Sequence, residues 1–141
     1  MRVRELMTTS VKTVRPTAAL LEARGMMQAE RIRHLVVTSP DGYVQGIVSD
    51  RDIRGCIPAA EASASSGELD AVLGRASVER VMSRSVITIG PDADAGDAAR
   101  LMLDHQIGSV PVVLHSRPIG IVTEIDFVRA FARLAPAVHG H

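Results

Sequence analysis

Cysteine occurs once in the 141 residues, at Cys56, so no disulfide can close within the chain and no thiolate cluster can hold a metal. Tryptophan is absent, and aromatic residues amount to 2%, namely Tyr43, Phe127 and Phe131. A surface that binds single strands by stacking bases on rings lacks its platforms here. Neither sign of charge prevails, with Lys+Arg and Asp+Glu both numbering 16, so no global field steers the chain to DNA or to an anionic membrane. Nucleic acid is therefore not an expected partner. No run approaches the ~20 apolar residues of a membrane-spanning helix. Met1-Arg-Val-Arg-Glu5 enters folded-looking sequence without an apolar signal core, and the reducing cytoplasm is the compartment expected. Catalytic parts are missing as well. There is no phosphate loop and no supported Ser/His/Asp order, and His105, His115, His139 and His141 lack metal-ligand spacing, so neither an enzyme nor a metal site is expected. What is present, 46% apolar and 23% charged residues, is an ordinary globular composition.

The order in the chain lies in a repeat. Val3-Arg-Glu-Leu-Met7 recurs as Val78-Glu-Arg-Val-Met82, and Val14-Arg-Pro16 recurs as Ile89-Gly-Pro91, both at an offset of 75. Ile32-Arg-His-Leu-Val-Val37 recurs as Ile107-Gly-Ser-Val-Pro-Val112 at the same offset. Gly46-Ile-Val-Ser-Asp-Arg-Asp-Ile53 returns as Gly120-Ile-Val-Thr-Glu-Ile-Asp-Phe127 at 74, which places the lost residue in an intervening hairpin turn. Each copy reads β-α-β-β-α. In the first, Lys12–Val14 is a short strand ahead of Pro16, and 18–30 is an amphipathic helix carrying Ala19, Ala23, Met26 and Met27. His34–Thr38 and Val44–Ser49 are the arms of a hairpin around Pro40-Asp-Gly42, and 50–56 starts a helix with acidic residues in its first turn. The second copy runs through Ile87–Ile89, 92–105, Ser109–Leu114, 118–123 and Glu124–Leu134. Between them, 59–67 is a small-residue linker and 68–75 a short helix expected to dock on the second repeat; 136–141 is a tail. The expected domains are thus 1–57, a linker with helix over 58–77, 78–135, and the tail. Neither repeat alone has much to bury, so the expected fold is α+β, with the two repeats packed sheet to sheet about a pseudo-twofold axis.

These blocks resemble the cystathionine-β-synthase-type (CBS) repeat, two of which form a Bateman module. The most specific element is Gly-h-h-Ser/Thr-x-x-Asp-h, where h is apolar, found as Gly46, Ser49 and Asp52 and again as Gly120, Thr123 and Asp126. The layout is similar to stand-alone CBS pairs of the acetoin-utilisation accessory type, on Ile32-Arg-His-Leu35, Ser49-Asp-Arg-Asp52 and the ending Asp126-Phe-Val-Arg-Ala-Phe131. The resemblance implies a regulatory module that binds adenosine-containing ligands (AMP, ADP, ATP or S-adenosylmethionine) in clefts of the pair, with no obligatory cofactor. In that frame Asp52 or Asp126 grips the two ribose hydroxyls, as a carboxylate can accept both. Ser49 or Thr123, with helix-start N–H groups, meets a phosphate. Adenine slots beside Ile47 or Ile121, its polar edge toward backbone near Thr13, Val14 and Thr88. Leu35 and Val110 belong to the walls.

The two clefts are not equivalent in sequence. Arg33 and His34 stand where the second repeat has Gly108 and Ser109, and Val36 stands where it has Pro111. One good site and one poor or empty one are expected. Helix faces bearing Ala98, Leu101, Met102, Phe127 and Phe131 suggest a homodimer, and an effector would be another polypeptide. The rival expectation is a ligand-free CBS-pair scaffold that only holds partners together.

Overall fold

Leu35 and Val37 alternate with His34 and Val36, the period of a strand with one face on a core, and that segment sits at the centre of the chain's larger sheet. The computed structural model describes residues 1–57 and 65–134. Most of the expected linker, the expected tail, His139 and His141 lie outside the described residues. The elements run α1 (Val3–Leu6), β1 (Thr13–Val14), α2 (Leu20–Glu30), β2 (His34–Thr38), β3 (Val44–Ser49) and α3 (Asp50–Gly55). They continue as α4 (Ser66–Arg75), a 3₁₀ turn over Val78–Arg80, α5 (Ala95–His105), β4 (Ser109–Leu114), β5 (Arg117–Thr123) and α6 (Glu124–Leu134). The fold is α+β. None of the helices among the described residues is long and apolar enough to cross a membrane.

Two compact units emerge, Lys12–Val86 and Met1–Val11 with Ile87–His141. In the first, β1-β2-β3 form one sheet, β1 parallel and β3 antiparallel to β2. Leu20, Ala23, Met27, Leu35, Val37, Val48, Ile53 and Leu73 gather in its core. Leu73 is fully buried, a contribution of about 1.5–3 kcal/mol. It lies on α4, so this helix docks on the first repeat's core and not on the second repeat as expected. Arg24 on α2 and Asp70 on α4 add an ion pair at 3.3 Å. The helix also starts earlier than its apolar spacing suggested, because Ser65 Oγ accepts the Glu68 N–H at its N-terminus.

In the second unit β4 and β5 form a two-stranded antiparallel sheet, and Val3, Leu6, Ala98, Met102, Val110, Val112, Val122 and Ala130 make the core. Ala98 and Met102, expected on a dimer face, are thus core residues, and Leu101 and Phe127 pack partly buried against them. The exposed apolar side chains of this unit are instead Leu103, Leu114, Ile125, Val128, Phe131 and Leu134. Between equivalent pairs, Thr38–Val44 and Val113–Pro118, the second hairpin is one residue shorter than the first. His115 and Ser116, at φ 53° and 65°, make a two-residue turn.

The expected strand at Ile87–Ile89 is reduced to a single bridge between Ile89 and Val112. The reason is Pro111. In the first unit the Val36 N–H donates to the Lys12 carbonyl at 3.2 Å, extending the ladder of β1. The matching position in the second unit is a proline, which has no N–H to give, and only the bonds of Ile89 to the Pro111 carbonyl and the Val113 amide remain.

Each unit is completed by the block that opens the other sequence repeat. Val3–Met7 packs in the unit containing β4 and β5, and Val78–Met82 packs in the unit containing β2 and β3. The bonds correspond one for one. Leu20 N–H donates to Ala76 O and Ala95 N–H to Met1 O, both at 2.9 Å, supplying acceptors to the starts of α2 and α5. Val78 N–H donates to Ala18 O at 2.8 Å, as Val3 N–H does to Ala93 O at 2.9 Å. Gly46 and Gly120 let these segments approach. A Cβ at Gly46 would lie 2.8 Å from the Ser83 carbonyl, and one at Gly120 would lie 2.9 Å from the Thr8 carbonyl.

Candidate functional site

Strand alternation sorts the expected site residues onto two faces. In the first unit Val14 and Leu35 point into the core cluster, and in the second Val110 does so. Their side chains therefore form the floor beneath the sheet and do not contribute to the opposite face. On that opposite face His34 stands across from Ser49 and Val36 across from Ile47. In the second unit Ser109 faces Thr123 and Pro111 faces Ile121. Val36 and Ile121 are buried although they lie outside their units' core clusters. Thr13 lies exposed on β1, opposite Val36. Thr88 lies exposed one residue before the Ile89 bridge. Gly108 accepts the Glu124 N–H through its carbonyl at 3.3 Å, as Arg33 accepts that of Asp50 at 2.8 Å. Of each set, His34 with Ser49 and Ser109 with Thr123 stand at the corner where the hairpin's last strand turns into a helix.

The two corners share their backbone and differ in how their polar groups are used. At the β3–α3 corner Ser49 and Asp52 form a capping box. The Asp52 N–H donates to Ser49 Oγ at 3.1 Å, and the Ser49 N–H donates to Asp52 Oδ2 at 2.9 Å. The helix-start N–H expected to meet a phosphate is therefore already engaged. Among the described residues Asp52 Oδ1 has no hydrogen-bond partner, and the Ser49 hydroxyl proton has no acceptor. Asp52 is half-buried. The Arg33 side chain is exposed and has no ion pair among the described residues.

At the β5–α6 corner the carboxylate is enclosed. Asp126 is 4% exposed. Its Oδ2 accepts the Thr123 N–H at 2.9 Å and the Thr123 hydroxyl at 3.3 Å. Its Oδ1 accepts the Thr8 hydroxyl at 3.1 Å, with Arg129 Nη1 at 3.9 Å. A carboxylate buried to this degree requires such partners, since an uncompensated one costs several kcal/mol. Thr8 was not singled out from the sequence. The signal was there, because Thr8 follows Met7 as Ser83 follows Met82 at the offset of 75, and both residues bridge to the middle of a hairpin strand. Ser83, however, makes no side-chain hydrogen bond among the described residues.

Cys56 falls just past α3, where its thiol donates to the Ile53 carbonyl at 3.0 Å. Burial pushes its pKa up, away from the thiolate form that reactivity needs. No group of three or more His, Cys, Asp or Glu among the described residues is arranged to hold a metal ion.

Comparison with known proteins follows the repeat. The family model for the CBS domain matches residues 3–59 and 78–133. The CBS domain-containing protein YhcV of Bacillus subtilis is 32% identical over 120 residues, spanning 85% of this chain and 78% of that protein. The chain spans only 32% and 44% of two longer relatives that it also matches. Among solved structures, the AcuB protein of Vibrio cholerae, assigned to acetoin utilization, superposes with a TM-score of 0.77 at 30% identity, over 95% of this chain and 92% of that one. The CBS domain pair of protein MJ0100, in complex with 5′-methylthioadenosine and S-adenosyl-L-methionine, gives 0.80 at 25% identity over 96% and 98%. The doubled motif, the doubled corner and a family match covering both repeats lead to one conclusion: the chain belongs to the CBS domain family, as a tandem pair that forms a regulatory, non-catalytic module.

Proposed function

We propose that this CBS pair binds an adenosine-containing small molecule at the strand-to-helix corners and transmits its occupancy to a partner polypeptide in the cytoplasm. The observation that carries the reading is the unsatisfied half of the β3–α3 corner. Among the described residues Asp52 offers one unused carboxylate oxygen and Ser49 one unused hydroxyl proton, beside Ile47 and His34 on one sheet face. An acceptor and a donor next to an apolar strand suit a ribose and a base. The similarity to a CBS pair that holds 5′-methylthioadenosine and S-adenosylmethionine supports this ligand class. AMP, ADP and ATP belong to the same class, and Arg33 favours the phosphorylated members. No cofactor is obligatory in this reading. A ligand shifts the module only by binding one of its states more tightly than another. The chain acts as a homodimer, with its contact on the exposed side of α6.

The test is thermal unfolding against AMP, ADP, ATP, S-adenosylmethionine, 5′-methylthioadenosine and GTP. At a hundredfold excess over its dissociation constant, a ligand specific to the folded state adds about 2.7 kcal/mol. That corresponds to roughly 8 °C for a chain of this size. The shift is expected from an adenosine ligand and not from GTP, and it should shrink in Asp52→Asn. A folded, ligand-free protein that shifts with none of the panel would instead be a scaffold.

A further inference from the structure

We infer that Thr8 is a built-in latch on the second corner, so that the Asp52 corner takes ligand first and the Asp126 corner becomes available only when Thr8 lets go. The inference rests on the adenosine-ligand reading above and assigns the two corners different duties.

Three observations on separate residues agree. Asp126 has both oxygens engaged by its own chain, Oδ2 by Thr123 and Oδ1 by the Thr8 hydroxyl at 3.1 Å. Asp52 has one oxygen engaged and one unused among the described residues. The Thr123 hydroxyl spends its proton on Asp126, whereas the Ser49 hydroxyl accepts from the Asp52 N–H and keeps its proton. Finally, Ser83 stands where Thr8 stands, on the same kind of backbone bridge, yet its hydroxyl makes no bond to Asp52.

Asp126 is 4% exposed and its Oδ1 is covered by Thr8, so a ribose hydroxyl arriving there displaces the Thr8 hydroxyl, exchanging one charge-assisted hydrogen bond for another with little net gain. At Asp52 the same hydroxyl meets an oxygen that has no partner among the described residues. A hydrogen bond to a charged group corresponds to about tenfold or more in affinity, and that is the expected separation between the corners. Thr8 is anchored by its backbone, its N–H donating to the Ile121 carbonyl at 2.9 Å and its carbonyl accepting the Ile121 N–H at 3.0 Å. The hydroxyl can therefore be removed without freeing the segment.

The experiment is equilibrium dialysis of the full chain with AMP and, separately, S-adenosylmethionine. Wild type should bind one ligand per chain at concentrations that saturate the tighter corner, and Asp52→Asn should weaken that binding at least tenfold. Thr8→Val should strengthen the second event about tenfold and bring the count to two, while Thr8→Ser, which keeps the hydroxyl, should behave as wild type. Thr8→Ala carries the same test should the valine variant fold poorly. Two equal sites in wild type, a Thr8→Val isotherm identical to wild type, or binding lost in Asp126→Asn but kept in Asp52→Asn would each overturn the latch and leave the ligand reading standing. No binding of either ligand by any folded variant would overturn the ligand reading and the latch together.

Discussion

Replacing Gly120 by Ala tests whether the crossing of Met7-Thr8 over β5 is as tight as it looks. The added methyl would sit 2.7 Å from Met7 Sδ, 2.9 Å from the Thr8 carbonyl and 3.1 Å from Met7 Cγ. Real Cβ atoms do not approach so closely, so the segment must move. The thioether can swing aside, but the carbonyl is held in a two-bond bridge to Ile121 at 2.9 and 3.0 Å. Losing that bridge costs about 1 kcal/mol per bond, and overpacking adds about 1–3 kcal/mol. Against this, Ala restricts the unfolded chain and returns about 0.4–1 kcal/mol. The clash wins, with a net loss of about 3 kcal/mol. With a urea slope of about 1–3 kcal/mol/M, the midpoint should fall by about 1–3 M. The double variant Gly120→Ala/Met7→Ala relieves the sulfur contact but not the carbonyl, so it should recover little of the loss. A midpoint shift below about 0.3 M in Gly120→Ala, or full recovery in the double variant, would refute the reasoning.

Two further predictions concern the surface. Phe131 is 74% exposed on α6 in company with Ile125, Val128 and Leu134. Phe131→Asp should leave the fold intact and reduce the sedimenting mass from twice to once the 15.0 kDa chain; a wild-type mass of one chain would remove the dimer. Asp92 accepts hydrogen bonds from Arg4 at 2.9 Å and Arg2 at 3.5 Å, and the Arg4 bond holds its carboxyl below the ordinary aspartate range. A pKa lowered by folding means that the pair stabilises the fold above the ordinary aspartate range, and that this is lost as pH falls through the folded value. Arg4→Ala should move the carboxyl NMR midpoint of Asp92 up toward the ordinary range, and an unmoved midpoint would show that the pair is not formed in solution.

Much of this architecture can be read from local pattern. The bounds of β2, β3, β4 and α6 follow from alternation, turn residues and helical spacing, all of which act over a few residues. Doubling made the Gly–Ser/Thr–Asp corner visible. Other features have no local signature. Arg31 and Gln106 end α2 and α5 in the left-handed region at φ 56° and 52°, positions where glycine would have announced the stop. Ile87–Ile89 has strand residues, but its pairing depended on an N–H that Pro111 lacks. Whether Leu73 packs on the first or second core is not written in the spacing of α4, since an amphipathic helix specifies a face and not a partner. The repeat offset places Thr8 opposite Ser83 but does not give its role. Its role depends on Asp126, 118 residues away, and hydroxyl residues in loops are too common to single out.

The segment Lys12–Val86 is continuous in the chain and 75 residues long, the same length as the repeat offset. Structure and sequence therefore share a period but differ in phase. Each folded unit is a circular permutant of the repeat that an alignment of the two halves would draw, and one unit is inserted whole into the other. A break between the sequence repeats would strand Val78–Met82 on the wrong side of the cut and leave α2 without its acceptor at Ala76. Breaks after Val11 and Val86 would free a unit that keeps every backbone partner described for it, and the ends left at Val11 and Ile87 are those that a single new peptide bond would have to join.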